Sequence, residues 1–449
     1  MTTAMSRPST NLWPQDEEAR QRIYAAPLEA LDPANPAHYP NGEWRWVFER
    51  LRAENPVHFT SGEHTEFHPY WSLTKWDDIK AADTKHEDFS AEGVIVLDRP
   101  TTAENAAAAF NDGTMTQEEM QKRLDEGTRS LLSMDPPDHE IHRGAVAEGV
   151  SPANLAAMEP LIRERAGEIL DGLPIGEEFD WVDKVSVELT AMTLATLFDY
   201  PQEKRRQLTH WSNVMTATVG PGQLVETQEE RNEAARDFYL AMSGLINGRR
   251  SEAPRMDFIS LMAHSPHSVN FSDAELFGDS IVLLVGGNDT TRNTISGSVY
   301  LLDRHPEENA KLRENPKLIA SMVSETIRWQ TPLTHMTRRA TRDVEINGKV
   351  IPKGDRVVLW YVSGNRDEDK IENADSWVID RKNPRQHLSF GFGIHRCLGN
   401  KLAELQLRII WEEILQRFPE IKVVGEPERH YNHFVKGYEK MTVVIPRRN

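Results

Sequence analysis

The stretch His387–Gln406 reads HLSFGFGIHRCLGNKLAELQ and contains Cys397, the single cysteine in 449 residues. Phe390, Gly393, Cys397 and Gly399 follow the pattern F-x-x-G-x-x-x-C-x-G. The glycines let the backbone run close to something flat and fold over a sulfur. Leu398, Leu402, Leu405 and Ile409 then recur at helical spacing, which predicts a helix straight after the thiol. The free N–H groups and dipole of a helix N-terminus are expected to favour thiolate and lower the Cys397 pKa. A thiolate held by backbone donors suits the axial position of a haem iron. A lone cysteine is more often an inert buried residue, so the weight rests on the whole pattern.

Composition narrows the alternatives. The chain carries 52 Lys+Arg against 70 Asp+Glu, a net charge of −18, which argues against a general nucleic-acid binder. One cysteine excludes a disulfide framework and a Cys-rich zinc or iron–sulfur site. The N-terminal residues MTTAMSRPSTNLWPQDEEARQR hold no apolar core of a signal peptide. The most apolar run, Ile281–Gly287, is far shorter than the ~20 residues of a membrane span. A soluble, cytoplasmic protein is expected. HExxH, GxSxG and Walker patterns are absent, and GFGIHR lacks the third glycine of a dinucleotide fingerprint.

Working outward, residues 1–40 are polar and Pro-rich and read as a loosely held N-terminal arm, with residues 41–449 as one domain. EWRWVFERLRAEN predicts an amphipathic helix, PVHFT and YWSLTK an antiparallel strand pair, and KWDDIKAADTKHEDFS a second helix. Residues 93–130, with a polar, Ala-rich middle, have the length of a lid or binding loop. Residues 151–330 are almost wholly helical in pattern, one helix opening on Ser151 as N-cap and Pro152. Strand patterns return in DVEINGKVIPKGDRVVLWYV, where NG signals a hairpin, and in KMTVVIP. The expectation is a mostly α fold with small β-sheets, of α+β class.

Within the helical region, SDAELFGDSIVLLVGGNDTTRNTISGSVYLLDRHPE opens on a capping box, Ser272 to Glu275. It predicts a helix of about 30 residues, roughly 45 Å long. Gly286 and Gly287 cost it about 1 kcal/mol each, so a flat group is expected close by. Thr290 is spaced to bond the Gly286 carbonyl, and Asp289 precedes it. Farther on, Glu325 and Arg328 share a helix face and can pair.

Together these motifs resemble those of the cytochrome P-450 haem-thiolate monooxygenases, over roughly residues 40–445. The resemblance implies the single-domain cytochrome P-450 fold and haem b as cofactor, with Cys397 as its iron ligand and Phe390, Gly391, Gly399 and Gly286 against the ring. MDPPDHEIHR resembles the family's D-P-P-x-H-x-x-x-R segment. It implies that His139 and Arg143, with Arg338 and His395, hold the haem carboxylates; Arg339 is an alternative to Arg338. Asp289 and Thr290 match the acid–alcohol pair that delivers protons to dioxygen. Glu325, Arg328 and Arg381 match a buried structural triad.

VGGNDTTRN, SETIRWQTPL and SGNRDEDK are most similar to the bacterial alkane and fatty-acid terminal hydroxylases. That implies hydroxylation of the terminal carbon of a medium-chain alkane or fatty acid with O₂ and two electrons. A terpenoid or sterol side-chain hydroxylase, a peroxide-driven relative and a non-catalytic haem sensor are the alternatives. Terminal attack requires a narrow pocket, for which Leu284, Val285, Leu333, Met336 and Phe434 are the candidates. The chain has no flavin or iron–sulfur motif, so the resemblance implies a [2Fe–2S] ferredoxin and a flavin-dependent reductase as partners. Arg396, Lys401 and Arg408 form a candidate basic dock. Residues 99–130, acidic and Ala-rich, match no family pattern and fall where the loop over the substrate is expected.

Overall fold

The helix that starts after Ser272 organises the molecule. It runs Asp273–Arg304, 32 residues, and its capping box is formed: Ser272 Oγ accepts from the Glu275 N–H, and the Glu275 carboxylate accepts from the Ser272 N–H. Every residue from Thr291 to Leu302 is buried, the mark of a helix covered on all sides. The helices Glu188–Leu197, Arg205–Thr216, Ile319–Gln330 and Asn400–Arg417 pack around it. In the computed structural model, residues 17–93, 95–97, 99 and 129–449 are described. The expected lid at 93–130 lies almost wholly outside them.

The sheets are small, as the strand patterns predict. A five-stranded sheet has the order Val57–Thr60, Tyr70–Leu73, Arg356–Leu359, Met336–Ala340, Phe89–Ser90. The expected pair is antiparallel in register Val57↔Leu73. The NG turn forms with Asn347 at φ 50° and Gly348 at φ 74°, both positive as such a hairpin requires. It closes a separate two-stranded sheet, Val344–Ile346 with Lys349–Ile351. Thr442–Val444, from KMTVVIP, is the middle strand of a three-stranded sheet. Ser151 caps the helix Pro152–Asp171 by accepting from the Asn154 N–H.

One expectation needs correction. Residues 17–40 are not a loose arm. Glu17–Ala25 is helical, Ile23 and Leu31 pack on Val47 and Leu51, and buried Arg50 donates to the carbonyls of Ile23 and Ala26 at 2.7 and 2.6 Å. Polar composition hid an amphipathic turn that buries Ala19, Ile23 and Leu31.

Candidate active site

The thiol loop is built by its glycines. Gly391 and Gly393 have φ of 64° and 67°, and a Cβ on Gly393 would lie 2.4 Å from the Asp83 carbonyl oxygen. The loop folds back so that the Cys397 N–H donates to the Phe390 carbonyl at 2.8 Å. The predicted helix starts at Asn400, and Asn400 Nδ2 donates to the Cys397 carbonyl at 2.6 Å. Cys397 is half-buried, and the pKa expectation is not met. Burial pushes the thiol up, outweighing the Gly399 N–H and the charges of Arg143 and Arg396.

Between this loop and the long helix lies a largely apolar cavity. Phe390, Gly391, Cys397 and Gly399 line one side. Val282, Leu283, Gly286, Thr290 and Thr294 line the other. A Cβ on Gly286 or Gly399 would meet nothing within 4 Å. Gly287 borders the cavity too, but a Cβ there would lie 2.6 Å from Leu194 Cδ2, so the second glycine of the pair admits a neighbouring helix.

The basic groups of the cavity cluster at one edge. His139 and His395 meet edge to face, ring centroids 4.6 Å apart. All four of their ring nitrogens are buried with no hydrogen-bond partner among the described residues, and so is Arg143 Nη1. Arg143 Nη2 donates to the Arg396 carbonyl at 2.7 Å. Burial, then Arg338 and His139, push His395 down to about 2; burial, then Arg143, lower His139. Arg338 lines the cavity and pairs with buried Asp83 at 2.9 Å. Its strand alternates, so Arg339 points to the opposite face and is not on the cavity wall. Orphaned donors at one edge, a thiol beneath and two bare glycines fit a flat group carrying carboxylates.

Thr290 Oγ1 donates to the Gly286 carbonyl at 2.7 Å, as the spacing predicts. Asp289 is fully buried and is not on the cavity wall. Its carboxylate accepts from Ser212 Oγ at 2.9 Å and Thr216 Oγ1 at 3.3 Å, and pairs with Arg292 at 2.7 Å. Adjacent helical residues point about 100° apart, so acid and alcohol do not share a face. Glu325, Arg328 and Arg381 do come together. Both guanidiniums are bidentate on Glu325, at 2.8 and 2.8 Å and at 3.0 and 3.1 Å. Arg328 also caps the carbonyls of Asn365, Ala374 and Ser376.

Of the expected pocket residues, Leu333 and Met336 line the cavity; Leu284, Val285 and Phe434 do not. Leu284 is fully buried in the main core, Val285 lies off the wall, and Phe434 packs on the His335 ring at 5.4 Å. The helical phase already held the answer: positions three and four before Gly286 are Leu283 and Val282, which do face the cavity. Leu131, Leu132, Leu194 and Phe258 also line it and carry no local signal. The basic dock is largely neutralised. Arg408 pairs with Glu159 and Glu412, and Lys401 with Glu404, at 2.9, 3.0 and 3.3 Å, which leaves Arg396 exposed.

Comparison with known proteins agrees with this geometry. The chain is 31% identical over 426 residues to linalool 8-monooxygenase of Pseudomonas putida, covering 93% of this chain and 99% of that one. It is 29% identical over 407 residues to the methyl-branched lipid omega-hydroxylase of Mycobacterium bovis, covering 88% and 90%. Its fold matches the solved structure of CYP153D17 from Sphingomonas sp. PAMC 26605 with a TM-score of 0.83 and 40% identity, over 93% and 99% of the two chains. The family model for cytochrome P450 matches residues 82–435, a span that contains the thiol loop, the long helix and the buried triad. The chain belongs to the cytochrome P450 family, is a monooxygenase of that family, and takes haem b through a cysteine thiolate.

Proposed function

We propose that this monooxygenase hydroxylates the terminal carbon of a medium-chain alkane or fatty acid, with Cys397 as the thiolate ligand. One observation carries the reading: the basic residues on the described cavity wall, Arg143, Arg338 and His395, all lie at the carboxylate-holding edge, and the rest of the wall is mainly apolar. The substrate is therefore held by apolar contact and shape. A neutral chain suits the described wall better than an ionised one.

When bound, the haem supplies oxygen activation, which an electron-rich thiolate promotes. The chain's own residues do the rest. The loop from Phe390 to Gly399 fixes the sulfur. His139, Arg143, Arg338 and His395 hold the carboxylates and so orient the ring. Thr290, tied to the Gly286 carbonyl, presents a hydroxyl to the cavity as the last proton donor. Asp289 is the acid behind it and must turn from Ser212 and Thr216 to reach it. Electrons come from separate proteins, a [2Fe–2S] ferredoxin and a flavin-dependent reductase. A terminal C–H is stronger than its secondary neighbour, so shape must overcome the bond-strength bias, each 1.4 kcal/mol counting tenfold in product ratio. Leu283, Leu333 and Met336 are the constriction.

The likeness to a methyl-branched lipid omega-hydroxylase supports terminal attack. The linalool monooxygenase relative supports a second reading, a terpenoid substrate. Titration of the haem Soret band with alkanes, fatty acids and linalool separates them, followed by product analysis with a competent ferredoxin. The expected product is mostly primary alcohol, and Leu333→Ala or Met336→Ala raises the secondary alcohols. Mainly mid-chain alcohols from the wild type, or turnover of terpenoids alone, would sink the terminal alkane and fatty-acid reading.

A further inference from the structure

A second, tight cavity lies apart from the haem site, among Tyr39, Tyr300, Trp329, Arg429, His430 and Lys436. Lys436 is 6% exposed. Among the described residues its ammonium has no carboxylate partner and no hydrogen-bond acceptor; it lies over the Trp44 ring, 5.2 Å from the centroid. Two guanidiniums add to this charge. Arg366 is sandwiched between Trp44 and Trp329 at 4.7 and 4.6 Å, and Arg429 lies against Tyr300 at 5.4 Å. The paired carboxylates stand at the rim. Glu426, 3.4 Å from Arg429, is 51% exposed, and Asp375, 3.7 Å from Arg366, is 55% exposed, so solvent screens both. The His430 Nε2 is buried with no partner among the described residues.

Glu439, 3.6 Å from His430 Nδ1, is likewise 56% exposed, so the largely buried Lys436 ammonium has no buried carboxylate to balance it among the described residues. A buried charge without a partner is costly, and a protein relieves it by neutralising the group or by admitting a counter-ion. Burial, with Arg366 and then Arg429 adding to it, already holds the Lys436 amine well below the usual lysine value. A cavity with polar donors turned toward it offers the second route.

We propose that this pocket binds a small inorganic anion, held by the Lys436 ammonium, the Arg429 guanidinium and the His430 Nε2–H. The site backs the substrate wall: the Lys436 N–H donates to the Pro332 carbonyl at 2.8 Å, and Leu333 bridges to Val435. The anion thus anchors the strand behind two residues of the haem cavity.

Thermal unfolding of the holoprotein in potassium chloride and potassium gluconate at matched ionic strength tests this. Chloride is expected to raise Tm over gluconate by about 1–2 °C per tenfold concentration above Kd. The part that counts is the part Lys436→Met loses. The same anion dependence in both proteins overturns the proposal. If Lys436→Met does not fold, wild-type crystals soaked in bromide decide. Bromide density beside Lys436 Nζ supports the site; its absence overturns it.

Discussion

At the scale of single residues, the assignments differ in what removing each side chain must do. Cys397 is held by the Phe390 carbonyl through its backbone N–H, a bond that serine keeps. Cys397→Ser is therefore expected to fold, yet to lose the red-shifted carbon monoxide band of thiolate ligation together with hydroxylation. An unchanged reduced carbon monoxide spectrum would remove Cys397 as ligand. Thr290 gives a subtler contrast. Its hydroxyl donates within the helix and touches no distant element, so Thr290→Ala should leave haem and substrate binding intact while diverting electrons to peroxide or water. Asp289→Asn should slow turnover by ~10²–10⁴. It also weakens the pairing of Arg292, whose side chain is 6% exposed, so it should lower Tm as well, which Thr290→Ala should not. NADH consumption measured against product formation separates the two variants. Coupling kept intact in Thr290→Ala would remove the threonine from proton delivery.

At the scale of elements, the helix Ile319–Gln330 is fastened to the chain beyond it by one carboxylate. Glu325 is fully buried, and burial alone would raise its pKa; Arg328 and Arg381 overcome that and hold it below the usual value. Removing one partner of such a group costs about 3–5 kcal/mol. Arg381→Ala should approach that loss, because the Val378 N–H and Arg328 still hold Glu325 but a bidentate partner is gone. Chemical denaturation of the holoprotein measures it, and a loss below 1 kcal/mol would place the triad's weight on Arg328 alone. The Glu325–Arg328 pair, the capping box and the thiol loop were legible in sequence because each is set by spacing within one short motif, whereas Arg381, from a distant loop, was marked only by the family resemblance. The cavity wall was legible only by helical phase. Gly286 and Thr290 mark the facing side, and Leu284 and Val285 lie off it, so reading the run as merely apolar misplaced them. Gly287, bare toward Leu194, and Asp289, turned toward Ser212, answer to other helices, and no local pattern announces them. Leu131 and Phe258 reach the cavity from distant elements for the same reason.

At the scale of the whole molecule, two opposing effects set the response to acid. The net charge of −18 at pH 7 falls toward zero near the pI of 5.4, which relieves self-repulsion and favours a stability maximum there. Buried histidines act the other way. Burial, with Arg328 next, pushes His387 down to about 4; burial does the same to His433, and it holds His335 well below 6.5 with His433 adding. Each binds a proton in the unfolded chain below about pH 6.5; in the fold His387 and His433 do so only near pH 4, and His335 only well below 6.5, so each contribution to stability is present above 6.5 and is lost as pH falls. The limiting slope is about 1.4 kcal/mol per pH unit for each such group. For 6%-exposed His387 the whole loss from 6.5 to 4 is on the order of 3 kcal/mol. His139 and His395 are left out of this sum, because they face the haem carboxylates. Surface repulsion acts between screened charges and is the weaker of the two. The holoprotein should therefore be most stable above pH 6.5 and lose Tm steeply between pH 6 and 4. His433→Phe, which meets the Phe67 ring 4.5 Å away, should flatten that slope by about one proton. A Tm maximum near the pI, unchanged in the variant, would mean that surface charge and not the buried imidazoles governs acid stability.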